Sequence, residues 1–182
     1  MNIAMYCATA HGSRKVIADC AEELGGQLAG RGHTLVYGGT SIGLMGIVAD
    51  AALAAGGQVV GVLPAAERIR SVRHQGLTCY IETQSISERK MVMSDMADAY
   101  IALPGGPGTL DEMAEVIALS KIGLQRKPCV LLDIDGFYQP LKEMYETMLQ
   151  AGFVTAEELS CVLFCADMDT AWKFIETGLR TA

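Results

Sequence analysis

The stretch AYIALPGGPGTLDEMAEVIALSK, residues 99–121, decides the architecture of this chain. Ala99 to Leu103 is an apolar run of strand length, and Leu110 to Lys121 carries helical spacing, with glycines between them. A strand that turns through glycines straight into a helix is half of a βαβ unit. The same turn suits an anion. Gly105, Gly106 and Gly108 have no Cβ and can take positive φ, so several N–H groups can converge on one phosphate. The helix, expected to begin near Thr109, adds its positive dipole end and unpaired amides. One helix terminus contributes about 0.3 to 2 kcal/mol toward an anion, so a phosphate-bearing ligand also needs a side-chain cation. The Arg89-Lys90 pair stands upstream to supply it.

Outward from this stretch the βα rhythm repeats. Strands are expected at Ile3 to Cys7, Thr34 to Tyr37, Val59 to Leu63, Thr78 to Ile81, Cys129 to Leu132 and Val162 to Phe164. Helices are expected over about Lys15 to Ala29, Leu44 to Ala55, Ser87 to Met96 and Gln139 to Gln150, with one more at the end. The strands are apolar throughout rather than alternating, which means burial on both faces in a parallel sheet with helices on either side. The expected fold is α/β, a Rossmann-like doubly wound parallel sheet forming a single domain over residues 1–182. Ligands of such sheets sit beyond the carboxyl ends of the strands, where Gly38-Gly39 and Gly105-Gly106 both fall. The irregular span from Pro64 to Gly76, with Arg68, Arg70, Arg73 and His74, is expected to edge the site.

Composition narrows the partners. The chain has 182 residues, 51% of them apolar, enough for a sizeable core. A formal charge of -7 argues against a general nucleic-acid surface, which gathers Lys and Arg to neutralise phosphates. No apolar run reaches the roughly 18 residues of a membrane span, so a soluble, cytoplasmic protein is expected. The six cysteines, Cys7, Cys20, Cys79, Cys129, Cys161 and Cys165, include no CxxC pair and are expected to serve as small buried hydrophobes. No metal site is expected, the Cys161/Cys165 spacing being a weak signal.

The familiar nucleotide motifs do not fit. Gly39, Gly43 and Gly46 in GGTSIGLMG are spaced four and three apart rather than as GxGxxG, and no acidic residue ends the following strand at Leu63-Pro64 to hold a ribose. A Walker loop needs Lys after its last glycine, where Leu44 or Thr109 stands here. Gly43 and Gly46 read equally as close helix-to-strand packing.

Glu112 carries two readings. Thr109 to Glu112 satisfies the TxxE capping box, in which the Glu returns a hydrogen bond to the helix start, and the pattern recurs at Ser85 to Glu88 and Thr155 to Glu158. Only the box at Thr109 follows a glycine turn at the expected crevice. Glu115 follows Glu112 by three and can share its face, and Asp111 suits the helix dipole. Arg89 is a cation in a first helical turn, where it opposes the dipole. The spacing Ile86, Arg89, Met93, Met96 is that of a buried stripe and aims Arg89 at the crevice. Lys90 lies off that stripe.

These residues resemble the LOG, or "lonely guy", phosphoribohydrolases, often labelled lysine decarboxylase-like. The family motif PGGxGTxxE is matched by Pro104, Gly105, Gly106, Pro107, Gly108, Thr109, Leu110, Asp111 and Glu112, and the companion RK pair looks like Arg89-Lys90. YGGTSIGLMGIVADAALAAGG and VVGVLP are also similar to family sequence, so the resemblance runs through about Gln150. It implies a cytosolic homodimer that cleaves the N-glycosidic bond of a nucleoside 5'-monophosphate to free base and ribose 5-phosphate, with no cofactor. Cytokinin nucleotides are the characteristic substrates, with AMP often accepted. Arg89 and Glu112 would be the catalytic pair. Lys90, Gly39, Thr40, Gly105, Gly106, Pro107, Gly108, Thr109, Leu110, Asp111 and Glu115 would bind substrate.

Two departures stand out. The first loop reads CATAHG where many members have something like CGSSxG, leaving Thr9 and His11 without an inherited role. The second glycine turn is GGT where many have GGG, which puts the Thr40 side chain near the ligand. Three other classes remain open at this stage: a PLP-dependent lysine decarboxylase, a dehydrogenase, and a non-catalytic nucleotide-binding regulatory module. The first needs a Schiff-base lysine, and nothing singles out one of Lys15, Lys90, Lys121, Lys127, Lys142 or Lys173.

Overall fold

The computed structural model describes residues 1–65, 71–121, 123 and 126–180, without the side chains of the last two. Seven strands form one sheet: β1 Asn2–Tyr6, β2 Thr34–Tyr37, β3 Gln58–Pro64, β4 Cys79–Thr83, β5 Ala99–Ala102, β6 Cys129–Leu132 and β7 Val162–Cys165. Their order is β4-β3-β2-β1-β5-β6-β7 and every pairing is parallel. The order reverses between β1 and β5, where a crevice opens at the carboxyl edge.

The described helices are α1 Lys15–Gly30, α2 Gly43–Ala54, α3 Ile86–Met96, α4 Pro107–Lys121, α5 Gln139–Gln150 and α6 Met168–Arg180. Alternate strand residues feed two cores. Ile3, Met5, Ala99, Ile101, Val130 and Leu132 pack with α1, α2 and α6, whose Leu24, Val48 and Trp172 are buried among them. Ala4, Tyr6, Tyr100, Ala102 and Leu131 pack on the other face with Met93 of α3 and Met113 and Val116 of α4. Both faces being covered explains why the strands are apolar without alternation. On the first face α1 and α2 approach closely, because a Cβ at Gly25 would stand 2.4 Å from the carbonyl oxygen of Val48.

Helix α4 begins at Pro107, earlier than its apolar periodicity indicates. Proline is well placed at a first helical position, since its fixed φ suits the helix and its missing N–H has no intrahelical partner to lose. None of Gly105, Gly106 and Gly108 takes up the positive φ that glycine allows. What they supply is room. A Cβ at Gly105 would meet Thr109 Oγ1 at 2.1 Å, whereas Gly106 and Gly108 face open space. The expected stripe on α3 holds at buried Met93 but not at Ile86, which is half exposed at the helix start. Cys7, Cys129 and Cys161 are buried as expected, while Cys79 is exposed on edge strand β4. Of the basic span after β3, Arg68 and Arg70 fall within 66–70, outside the described residues.

Candidate functional site

At the reversal between β1 and β5 lies a cavity of about 370 Å³, lined by Cys7, Ala8, Thr9, Ala10, Met45, Arg89, Gly106, Pro107, Gly108, Thr109 and Glu112. Three elements build it. The loop after β1 forms one wall, the first turn of α4 forms another, and α3 delivers Arg89.

The turn after β5 is pinned from both sides. Leu103 N–H donates to the Tyr6 carbonyl at 3.0 Å, and the buried Tyr138 hydroxyl donates to the Leu103 carbonyl at 2.7 Å. Gly106 to Thr109 then wrap the start of α4, whose first-turn amides have no partner within the helix. The second glycine-rich helix start differs. The amides of Leu44 and Met45 donate to the Ala10 and Ala8 carbonyls, each at 3.3 Å. Gly43 has φ of +62° and lies so close to Thr9 that a Cβ would stand 2.2 Å from its carbonyl carbon; Gly46 is equally tight against Ser41. The protein's own backbone therefore occupies the start of α2, whereas the start of α4 opens onto the cavity, as an anion site would require. The glycines of α2 serve packing, onto loop backbone rather than onto a strand.

Glu112 sits at the base of the cavity with only 4% of its surface exposed. Its side chain does not cap α4, which starts too early for that. It accepts a hydrogen bond from Arg89 Nη2. The other two boxes close locally: the Ser85 hydroxyl accepts from Glu88 N–H and the Thr155 hydroxyl from Glu158 N–H, both at 3.1 Å. Burial pushes the Glu112 carboxyl above its ordinary range, and the guanidinium of Arg89 opposes that rise without cancelling it. The Cys7 thiol is also pushed up, by burial first and by Glu112 second.

Arg89 is largely covered, and its Nε is buried with no hydrogen-bond partner among the described residues. A Cβ on Gly38 would stand 2.8 Å from Arg89 Nη1, so glycine at the end of β2 leaves space for the guanidinium. One residue further along α3, about 100° around the axis, Lys90 points elsewhere. Its ammonium pairs with Asp111 and Glu115 on α4, each at 2.9 Å, outside the cavity lining.

A larger groove of about 620 Å³ lies between α1 and the loops after β6 and β7, bordered by Asp19, Glu23, Asp135, Asp167 and Asp169. Five carboxylates repel a phosphate, so the smaller cavity with its guanidinium and helix terminus suits an anionic ligand better. Among the described residues no set of three His, Cys, Asp or Glu side chains converges to hold a metal. No described helix is long and apolar enough to cross a membrane.

A family profile described as "Possible lysine decarboxylase" matches residues 45–175. Cytokinin riboside 5'-monophosphate phosphoribohydrolase LOG of Oryza sativa subsp. japonica is 42% identical over 164 residues, covering 90% of this chain and 67% of the relative. Cytokinin riboside 5'-monophosphate phosphoribohydrolase of Rhodococcoides fascians is 40% identical over 171 residues, covering 93% and 86%. The chain belongs to the LOG family. Among solved structures, the Moco carrier protein of Chlamydomonas reinhardtii superposes with a TM-score of 0.75 at 28% identity, covering 100% of this chain and 98% of that one. The molybdenum cofactor binding protein of Rippkaea orientalis shares the fold at a TM-score of 0.73 and 21% identity.

Set against the LOG motif, the structure brings Arg89, Gly106, Pro107, Gly108, Thr109 and Glu112 together on one cavity. Gly105 supports it from behind through its contact with Thr109. Lys90, Asp111 and Glu115 form their own ionic cluster, and Leu110 is exposed on the outer side of α4. Gly39 has φ of +72° and packs on Leu63; Thr40 is buried behind the cavity lining, touching Met45. His11 is exposed and is not among the lining residues. Sequence reasoning left out Cys7, Ala8, Thr9, Ala10 and Met45. The CATAHG loop was visible, but only the central position of β1 at the reversal makes it a cavity wall.

Proposed function

We propose that this LOG-family protein hydrolyses the N-glycosidic bond of a purine nucleoside 5'-monophosphate, of the cytokinin type or AMP itself, giving free base and ribose 5-phosphate. The observation that carries this reading is the buried Glu112 carboxylate, paired with Arg89 and set one turn into the helix whose open N-terminus borders the same cavity. The amides of Gly106, Gly108 and Thr109 hold the 5'-phosphate. That grip fixes the sugar over Glu112. As the bond from C1' to the base nitrogen breaks, positive charge grows on the ribose ring and Glu112 stabilises it. The same carboxylate orients a water and takes its proton as the water oxygen bonds to C1' and the bond to the base nitrogen breaks; the departing base is protonated from solvent, and Glu112 returns its proton to solvent, which restores the carboxylate. Arg89 favours the ionised form of Glu112 against its burial and steadies negative charge on the substrate.

Among the described residues the cavity lining holds no lysine, which speaks against a Schiff-base decarboxylase at this site. The working unit is a cytoplasmic homodimer in which the chain acts as a single domain. Exposed Ile86, Met91 and Leu110 on α3 and α4 support an association face beside the cavity.

Incubation with AMP and with isopentenyladenosine 5'-monophosphate, followed by chromatography of free base, tests the reading. Base is expected from both, and adenosine without its phosphate should be a poor substrate. Tight AMP binding with no release of adenine would instead identify a non-catalytic nucleotide-binding module, and preference for adenosine would remove the phosphate role from the glycine turn.

A further inference from the structure

Thr40 occupies the third position of the GGT turn, and its side chain is buried rather than exposed to a ligand. The turn holds it firmly. Its carbonyl accepts from the Tyr37 hydroxyl at 3.2 Å, and its backbone bridges to Arg73. From this fixed position the Thr40 hydroxyl donates to the thioether of Met45 at 3.4 Å. Methionine has three rotatable side-chain bonds and settles into whatever space is offered, so a fixed donor on its sulfur selects one arrangement. In the arrangement selected, Met45 Sδ and Cε each lie 3.2 Å from the place a Gly38 Cβ would take, and Arg89 Nη1 lies 2.8 Å from the same place. Thioether and guanidinium thus share the space above Gly38, and both line the cavity.

The chemistry of the lining divides. The first turn of α4 attracts an anion, Arg89 and Glu112 carry charge, and Cys7, Ala8, Ala10 and Met45 offer an uncharged wall. Met45 is the largest side chain of that wall and its sulfur makes favourable contacts with aromatic rings. We propose that Met45 is a specificity-determining residue whose thioether carries the base of the nucleotide, and that Thr40 is the positioning residue that holds Met45 in place for it. This rests on the nucleotide reading of the cavity given above. Thr40 does not touch the substrate. It sets where the base rests and hence how much room remains for a substituent on the base.

Four proteins test it: the natural chain, Thr40→Val, which keeps shape and loses the hydroxyl, Thr40→Ser, which restores the hydroxyl, and Met45→Leu. Each is assayed on AMP and isopentenyladenosine 5'-monophosphate, and each is titrated calorimetrically with AMP and with ribose 5-phosphate, which has no base. Thr40→Val and Met45→Leu are expected to raise KM for AMP about five-fold, with a smaller change in kcat. They should also alter the ratio of kcat/KM between the two nucleotides by about three-fold or more. Affinity for ribose 5-phosphate should stay unchanged, and Thr40→Ser should recover the natural values. Equal weakening toward AMP and ribose 5-phosphate would mean general loosening and would overturn the proposal, as would a Thr40→Val protein indistinguishable from the natural one. If the natural protein released no base, the hydrolase reading alone would fall, and the calorimetric comparison would still decide the roles of Thr40 and Met45.

Discussion

Glu112 is kept where burial disfavours ionisation, and the Arg89 guanidinium is the strongest opposing influence among the described residues. Removing a preorganised charged group from such a site costs about 3 to 4 kcal/mol of transition-state stabilisation, so Glu112→Gln and Arg89→Ala should each lower turnover at least about a hundredfold. Circular dichroism and melting should show both variants folded. The pH dependence follows from the direction of the carboxyl shift. A group raised above its ordinary value near 4.5 stays protonated to higher pH, and the proposed mechanism needs it ionised. Activity should therefore rise with pH along a limb lying above that ordinary value. In Arg89→Ala the opposing guanidinium is gone, and the residual activity should show this limb moved further up in pH. A limb at the ordinary carboxylate position in the natural enzyme would mean that a group other than Glu112 controls it.

At the scale of elements, two glycine-rich helix starts read alike in the sequence and do different work. The start of α2 is filled by the Ala8 and Ala10 carbonyls, whereas that of α4 opens onto the cavity. Gly105 and Gly106 separate support from binding. Gly105→Ala drives a methyl into Thr109, and forcing atoms into a packed position costs about 1 to 3 kcal/mol, so melting temperature and nucleotide affinity should fall together. Gly106→Ala has open space on a residue that lines the cavity. Its melting temperature should hold while KM for AMP rises, which thermal melts and initial-rate kinetics would check. The three capping-box patterns teach a related lesson. Ser85 to Glu88 and Thr155 to Glu158 close on themselves, but Pro107 starts α4 early and frees Glu112 to meet Arg89. Four residues of sequence could not distinguish these outcomes, because the partner that captures Glu112 lies 23 positions away.

For the whole molecule, binding is coupled to stability through mass action. A ligand at a hundred times its Kd stabilises the native state by about 2.7 kcal/mol. For a domain of this length that amounts to about 5 to 10 °C in melting temperature. AMP and ribose 5-phosphate should both produce such a shift, and adenosine should produce much less, since the attraction lies in the first turn of α4 against an overall charge of -7. Scanning calorimetry of Glu112→Gln, which binds without consuming AMP, would give the cleanest measurement. Equal shifts with adenosine and AMP would show that the phosphate contributes nothing.

The strands and helices of this LOG-family chain, and their parallel βα alternation, follow from the sequence alone, because periodicity and burial on both faces are written within each segment. The motif PGGPGTLDE also marked the cavity's floor and one wall. The inward aim of Arg89 was legible in the spacing of α3, but tertiary structure alone decided that Lys90 pairs with Asp111 and Glu115, that the buried Thr40 hydroxyl donates to Met45, and that the loop after β1 completes the site. Apart from Thr40 and Met45, which are five positions apart, those contacts join segments distant in the chain. They depend on which strands lie side by side and on what each helix meets there, which no local pattern records.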